Sequence, residues 1–300
     1  MPAKTKIEWA DYISNPIKAR DVESGRRGHA CVKISEGCAN CWASVFNNRL
    51  GTKRPYTLAN MRADVMEVYL DEAEMGRIRK FKPRLPKGES TYKNGRSRPV
   101  VFPCDMTDLF GGWVSTEWLD RIFQAMWMCQ EVDWFVLTKR TDRMLEYLSG
   151  KFNEKKMPLN NIYIGCTVEN QKRANERRDA MDAVASMGWK TWVSFEPALE
   201  FINWNAWGFL NGLVCGGESG VSARPMPVDA AREARDYCVS HGIPFFFKQW
   251  GEWLPVDHLK VDEHTTFKHK PVDVNGVMMV RVGRGLAGNA LDDERWSEMP

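Results

Sequence analysis

Three of the eight cysteines, Cys31, Cys38 and Cys41, fall inside one short stretch, His29–Ser44. Thiolates so close in sequence can converge on one metal centre. The two residues between Cys38 and Cys41 make a common chelating turn for zinc and for iron–sulfur clusters. The six between Cys31 and Cys38 leave a loop wide enough to wrap a cluster. A structural zinc site wants four ligands, whereas three leave a position open for a substrate or cofactor. His29 is the alternative fourth ligand; it would make the loop a zinc-binding, nucleic-acid-binding module without catalysis. Free cysteines are usually scattered through a core, so the clustering argues against three unrelated buried thiols. Cys104, Cys129, Cys166, Cys215 and Cys238 read instead as small core residues. The remaining histidines, His241, His258, His264 and His269, have no metal-binding spacing.

The other residues able to do chemistry stand just after short apolar runs. The runs are Pro99–Pro103, Trp134–Leu137, Ile162–Gly165, Thr191–Ser194, Leu213–Cys215 and Pro244–Phe247. Helical patterns over Thr116–Cys129, Asp142–Leu148, Asn170–Met187 and Val228–Ser240 separate most of them. Apolar runs alternating with helices predict an α/β fold with a parallel sheet. With the extended segment Ile7–Lys18, six or seven strands are expected, as a partial (β/α) barrel or an open doubly wound sheet. In a barrel the carboxyl ends of the strands carry the active site. Those ends supply Asp105 and Asp108, Lys139 and Arg140, Glu169, Ser194 and Glu196, Glu218, and Lys248. Lys139, Arg140, Glu196, Glu218 and Lys248 are the candidate catalytic set. Gly216-Gly217 would let backbone approach a ligand.

Helices are expected over Ala39–Leu50 and over Leu58–Phe81, where Met61, Val65, Val68 and Tyr69 have roughly helical spacing. From Arg77 to Arg98 nine cations face one acid, Glu89, while Pro83, Pro86 and Gly88 break any long helix. This suits a phosphate-contacting loop, with Arg79, Lys80, Lys82 and Arg84 as the nucleic-acid contacts. A solvated linker is the plain alternative. After Gly251 the alternation stops. Residues 1–250 therefore read as the barrel with its N-terminal cysteine loop, and 251–300 as a C-terminal appendage. The appendage should hold a hairpin in Val272–Val282, turned at Asn275-Gly276, and pack Trp296 back onto the barrel.

The net charge of +3 is too small to indicate a partner. No apolar run approaches the ~20 residues of a membrane span, and MPAKTKIEW lacks the apolar core of a signal peptide. A cytoplasmic protein is expected. There cysteines stay reduced, which favours metal binding over a disulfide frame.

Several motifs together resemble a known family. They are Thr5–Asp11 (TKIEWAD), Asn15-Pro16, the three cysteines with Gly37, and Met106–Phe110 (MTDLF). Further on are Leu137–Arg140 (LTKR), Gly216–Gly220 (GGESG), Ala223–Met226 (ARPM), Phe246–Gly251 (FFKQWG) and the closing Trp296 with Glu298–Pro300. This set resembles the phage-encoded three-cysteine-motif family, allied to the radical SAM enzymes. The resemblance implies a [4Fe–4S] cluster on Cys31, Cys38 and Cys41, with S-adenosylmethionine on the open iron. Reductive cleavage of that cofactor would give a radical that abstracts hydrogen from a substrate. It also implies an electron donor such as flavodoxin. Asn40 and Trp42, which flank Cys41, are expected at the cofactor with Asp105, Asp108 and Ser194. Two features depart from the usual radical SAM pattern: the first cysteine gap is six, and Asn40 stands where an aromatic residue is common. Gly216-Gly217-Glu218 also comes late for the cofactor's amino group. Cys104 stands where the family has asparagine. The resemblance points to hypermodification of a DNA base, such as isomerisation of an amino-acid-modified thymidine. Lys139, Arg140 or Lys248 would hold its carboxylate. Free nucleotide, tRNA or protein are the alternative substrates.

Overall fold

The computed structural model describes residues 2–85, 87–152, 158–259 and 269–299. His264 lies outside the described residues. Strands β1 (Ala3–Lys4), β2 (Tyr12–Ser14), β3 (Ile17–Asp21) and β4 (Arg27–Gly28) precede the cysteine loop, and α1 (Trp42–Leu50) follows it. β5 (Met66–Leu70) and α2 (Glu72–Arg79) come next. The alternation then runs β6 (Val100–Pro103), α3 (Thr116–Met128), β7 (Asp133–Thr138), α4 (Thr141–Lys151), β8 (Ile162–Thr167), α5 (Gln171–Ser186) and β9 (Lys190–Phe195). It continues with β10 (Leu213–Gly216), α6 (Val228–His241) and β11 (Phe245–Gln249). β12 (Trp253–Pro255), β13 (Val272–Val274), β14 (Val277–Arg281) and α7 (Arg284–Ala287) close the chain. Each of the six apolar runs forms a strand. Seven strands, β2 and β6 to β11, have a parallel neighbour among the described residues. No helix among the described residues is long and apolar enough to cross a membrane.

The chain divides into two compact units, Met1–Cys166 with Ala180–Thr191, and Thr167–Asp179 with Trp192–Pro300. In the first, β2, β6, β7 and β8 run parallel, with Tyr12 opposite Val101, Val100 opposite Asp133, and Trp134 opposite Ile162. All residues of β8, and all but Leu137 of β7, are buried, which is why both read as continuous apolar runs rather than alternating ones. α3 starts on a Ser115 cap and buries Leu119, Ile122, Phe123, Ala125 and Met126. A second small sheet, β4-β3-β5, is antiparallel and pairs Ile17 with Leu70 and Asp21 with Met66. Here the helix expected over Leu58–Phe81 is corrected. Met66–Leu70 (MEVYL) has a β-branched and an aromatic residue, and β3 satisfies its backbone, which outweighs a loose helical spacing. Helix begins only at Glu72, where the Asp71 carboxylate accepts from the Ala73 and Glu74 amides.

The second unit holds β9, β10 and β11 in parallel, with Leu213 opposite both Val193 and Phe245. β12, β14 and β13 form an antiparallel sheet, and Asn275 and Gly276 both have positive φ in the β13–β14 turn. The Phe247 amide donates to the Trp296 carbonyl, and the Trp296 ring meets Phe245 edge-on. Residues 251–300 thus share a unit with β10 and β11. Glu169 and Arg177 form a fully buried ion pair here at 2.6 Å. Removing either partner of such a pair costs about 3–5 kcal/mol, because the other charge is stranded. Glu169 is therefore committed to the fold.

Candidate functional site

The cysteine loop is built in the first unit. Ser35 starts a single 3-10 turn over Glu36–Cys38, and the Cys41 amide donates back to the Cys38 carbonyl. Cys41 then serves as the N-cap of α1. Lys33 closes the loop by donating to the Ala39 carbonyl at 2.7 Å. The Cys31 and Cys41 side chains pack against Ala43, Tyr56 and Met106. Ser35 Oγ lies 3.6 Å from Cys38 Sγ. All three residues are partly exposed, whereas the other five cysteines are buried. Burial pushes the Cys31 thiol up to about 12, reinforced by the negative charges of Asp108, Cys41 and Cys38. The Cys31 sulfur thus lies within electrostatic reach of Cys38 and Cys41.

The ends of β6 and β7 hold this loop. Thr107, after β6, donates its hydroxyl to the Ala30 carbonyl at 2.6 Å. Arg140, after β7, donates Nη2 to the Val32 carbonyl at 3.3 Å. Arg140 is itself held by Asp108, at 3.9 Å, and lies over the Trp113 ring at 5.1 Å. Its Nε is buried with no hydrogen-bond partner among the described residues. Asp108 accepts from Thr138 Oγ1 at 2.6 Å and from the Lys139 amide at 3.1 Å. Tyr56 donates to the Met106 carbonyl at 2.7 Å. Asp105 accepts from Asn15 Nδ2, and Asn15 Oδ1 takes the Met106 amide. Cys104 sits between β6 and Asp105 with φ of 62°, a left-handed conformation that asparagine adopts more readily than cysteine.

Of the sequence candidates, this arrangement brings Cys31, Cys38, Cys41, Asp105, Asp108, Lys139 and Arg140 into one unit. Asn40 is partly exposed and Trp42 is exposed at the start of α1. Ser194, Glu196 and Lys248 form a second group, in the other unit. Glu196 bridges Lys248 Nζ at 2.6 Å and accepts from Ser194 Oγ at 3.1 Å. Glu218 is engaged by the Arg224 amide, Nε and Nη2, a local structural clasp. A Cβ on Gly217 would collide with the Trp250 carbonyl, so that glycine makes room for the chain itself rather than for a ligand. Sequence reasoning missed Asn15, Lys18, Tyr56, Thr107 and Trp113. Asn15, Thr107 and Trp113 lay beside or inside the motifs, but only long-range contacts give them work.

His29 does not stand as a fourth metal ligand. Its Nδ1 faces the Ile17 carbonyl at 3.3 Å and its Nε2 faces Lys18 Nζ at 3.4 Å. Among the described residues no three of His, Cys, Asp and Glu are arranged round a single ion. A [4Fe–4S] cluster makes a different demand. It spreads its thiolates over separate irons, so they need not meet in one ion's coordination sphere. Three cysteines on one loop, with Cys31 within electrostatic reach of the other two, fit a cluster of that kind.

Asp105 carries a testable electrostatic signature. Burial raises its carboxyl to about 6, against the opposing pull of Asn15 and the Lys18 ammonium. Tyr56 and Cys104 face the same carboxylate. A raised acid favours the protonated fold. Below pH ~4 both folded and unfolded states are protonated, so the group contributes nothing. Between ~4 and ~6 only the unfolded state ionises, and stability falls as pH rises. Above ~6 the full cost stands, about 2–3 kcal/mol for a shift of this size. Asp105→Asn should match wild type near pH 4 and exceed it by about that amount at pH 7. Urea unfolding of the metal-free protein at both values measures this; equal pH slopes would show that Asp105 is not buried as described.

Comparison with known proteins adds the following. No curated protein matches the chain. A spore photoproduct lyase variant with bound AdoMet and dinucleoside spore photoproduct is similar at a TM-score of 0.44 and 12% identity. It covers 94% of this chain and 71% of that one. A spore photoproduct lyase complexed with dinucleoside spore photoproduct gives 0.42 and 12%, with the same coverage. Similarity this low fixes neither fold nor chemistry. One family model, described as protein of unknown function (DUF5131), matches residues 4–300, nearly the whole length. The chain belongs to the DUF5131 family.

Proposed function

We propose that this chain is a radical SAM enzyme acting on a nucleic-acid base. One observation carries the proposal: three partly exposed cysteines on one loop, held between the ends of two parallel strands, with Cys31 sensing the charge of the other two. Cys31, Cys38 and Cys41 would hold a [4Fe–4S] cluster. When bound, the cluster and S-adenosylmethionine supply one-electron reductive cleavage and hydrogen abstraction. The chain's own residues bind and orient. Asp105 and Asp108 offer carboxylates to a ligand ammonium, while Arg140 is kept to the Val32 carbonyl and the Asp108 charge. In the second unit Lys248 and Glu196 offer a cation and a carboxylate to a zwitterionic group.

In its finer form, the proposal is a partial (β/α) barrel of the radical SAM type and a phage DNA substrate. The reaction is isomerisation of an amino-acid-modified thymidine. The bond from the thymine methyl carbon to nitrogen breaks and one to the α-carbon forms, with no net redox change. A flavodoxin-like donor supplies the initiating electron, and the working compartment is the cytoplasm of the infected cell.

The test is direct. Anaerobically purified protein should be brown, with iron and sulfide in cluster proportion. Reduced protein, S-adenosylmethionine and phage DNA should yield 5′-deoxyadenosine and a nucleoside of changed retention but unchanged mass after digestion. A colourless protein with stoichiometric zinc would remove the enzyme assignment. Iron-loaded protein that alters only free nucleotide, tRNA or protein would keep the chemistry and change the substrate.

A further inference from the structure

We propose that Thr107 and Arg140 are positioning residues for Cys31, acting through the backbone on either side of it. The role deepens the proposed function, since Cys31 must be a cluster ligand for its placement to matter chemically. Cys31 is the isolated member of the triad, six residues from Cys38, with no capping turn of its own. Cys38 and Cys41, by contrast, are fixed by the 3-10 turn and the start of α1. Something else has to set Cys31. The Thr107 hydroxyl takes the Ala30 carbonyl at 2.6 Å and the Arg140 guanidinium takes the Val32 carbonyl at 3.3 Å. These two bonds flank Cys31, one residue to each side.

The clasp is braced from behind. Asp108 lies between the two strand ends, on the loop that carries Thr107. It accepts from the Thr138 hydroxyl and the Lys139 amide, and its charge faces Arg140. Trp113 stacks under the guanidinium. The His29 amide donates to Asn47 Oδ1 at 2.8 Å, and Asn47 is buried in α1, which ties the near side of Ala30 to the helix that Cys41 caps. Cys31 is thus referenced to both β6 and β7, and through Asn47 to the helix of Cys41. Arg140 acts in this arrangement through Val32, not on substrate.

The test uses metal-free reduced protein as well as iron-loaded protein. Thr107→Val removes the hydroxyl at nearly constant volume, and Arg140→Met removes the guanidinium while keeping its stem. Each should raise the iodoacetamide alkylation rate of Cys31, read by peptide mass, about fivefold, as expected for one lost hydrogen bond. Cys38 and Cys41 should alkylate at wild-type rates. Thr107→Ser keeps the hydroxyl and should behave as wild type. In reconstituted protein, Thr107→Val and Arg140→Met should also lose iron to a chelator faster. Unchanged Cys31 alkylation in both variants, with unchanged melting temperature, overturns the clasp. So does equal acceleration at all three cysteines, which would mean general loosening of the loop. Protein that takes up no iron at all would remove the cluster, yet the alkylation pattern would still decide whether Thr107 and Arg140 position Cys31.

Discussion

Cys38→Ala protein should come off the column colourless. Its iron should fall from about four per chain, the content of one [4Fe–4S] cluster, to a trace, and 5′-deoxyadenosine formation should fall below detection. Cys31→Ala and Cys41→Ala should do the same. If these three cysteines are the cluster's protein ligands, no thiolate is redundant. Among the described residues His29 cannot replace the lost one, since its two ring nitrogens face the Ile17 carbonyl and Lys18. Cys129→Ala is the matched control. Cys129 is buried beyond α3, its thiol donates to the Phe81 carbonyl at 3.3 Å, and burial pushes it up to about 11. That variant should lose some stability and keep its iron. If Cys129→Ala bleaches the protein as fully as Cys38→Ala while still folded, the ligand assignment is wrong. If Cys38→Ala keeps its colour, the loop is not the cluster site.

How much of this was legible beforehand depends on the range of the forces involved. The six runs from Val100 to Phe247 were readable because strands buried on both faces leave an unbroken apolar signature in the chain itself. The cysteine loop was readable as a candidate site because chelating spacings are local in sequence. Met66–Leu70 was not, since its pairing partner Ile17–Asp21 lies far back in sequence and only tertiary pairing turns a loose helical spacing into strand. The clasp on Cys31 was hidden for the same reason: Thr107 and Arg140 reach back 77 and 108 residues to their carbonyls. Glu218 is the opposite case. Arg224 is only six residues away, and a Glu with a nearby Arg across a glycine turn was a readable warning of a structural pair.

The basic stretch shows most clearly what composition hides. Nine cations from Arg77 to Arg98 looked alike, but the structure sorts them by partner. Lys93 is caged by the carbonyls of Thr5, Ile7 and Ala10, at 2.9, 2.9 and 2.7 Å. Arg96 and Arg98 both pair with buried Asp133, and Arg77 pairs with Glu74. These four serve the fold. Arg79, Lys80, Lys82 and Arg84 are exposed, and no ion pair is recorded for them among the described residues.

If those four contact DNA phosphates, changing all of them to Ala should flatten the salt dependence of binding strongly. Each phosphate contact on duplex DNA contributes a slope of roughly −0.9 in log affinity against log salt, so four contacts carry about −3.6. Between 50 and 200 mM salt, wild type should lose about a hundredfold more affinity than the variant. The side chains are exposed and make no ion pair among the described residues, so stability should move little, within about 0.5 kcal/mol for each change. Iron content and cofactor cleavage without substrate should also be unchanged, because among the described residues no hydrogen bond or ion pair joins these four to the cysteine loop. Anisotropy titrations of a labelled duplex across that salt range give the slope. Turnover on polymeric DNA should drop with affinity, while turnover on a single modified nucleoside should not, since a nucleoside offers no backbone to hold. A slope equal to wild type, with full turnover on polymeric DNA, would make Arg79–Arg84 a solvated linker and move the nucleic-acid contact elsewhere on the protein.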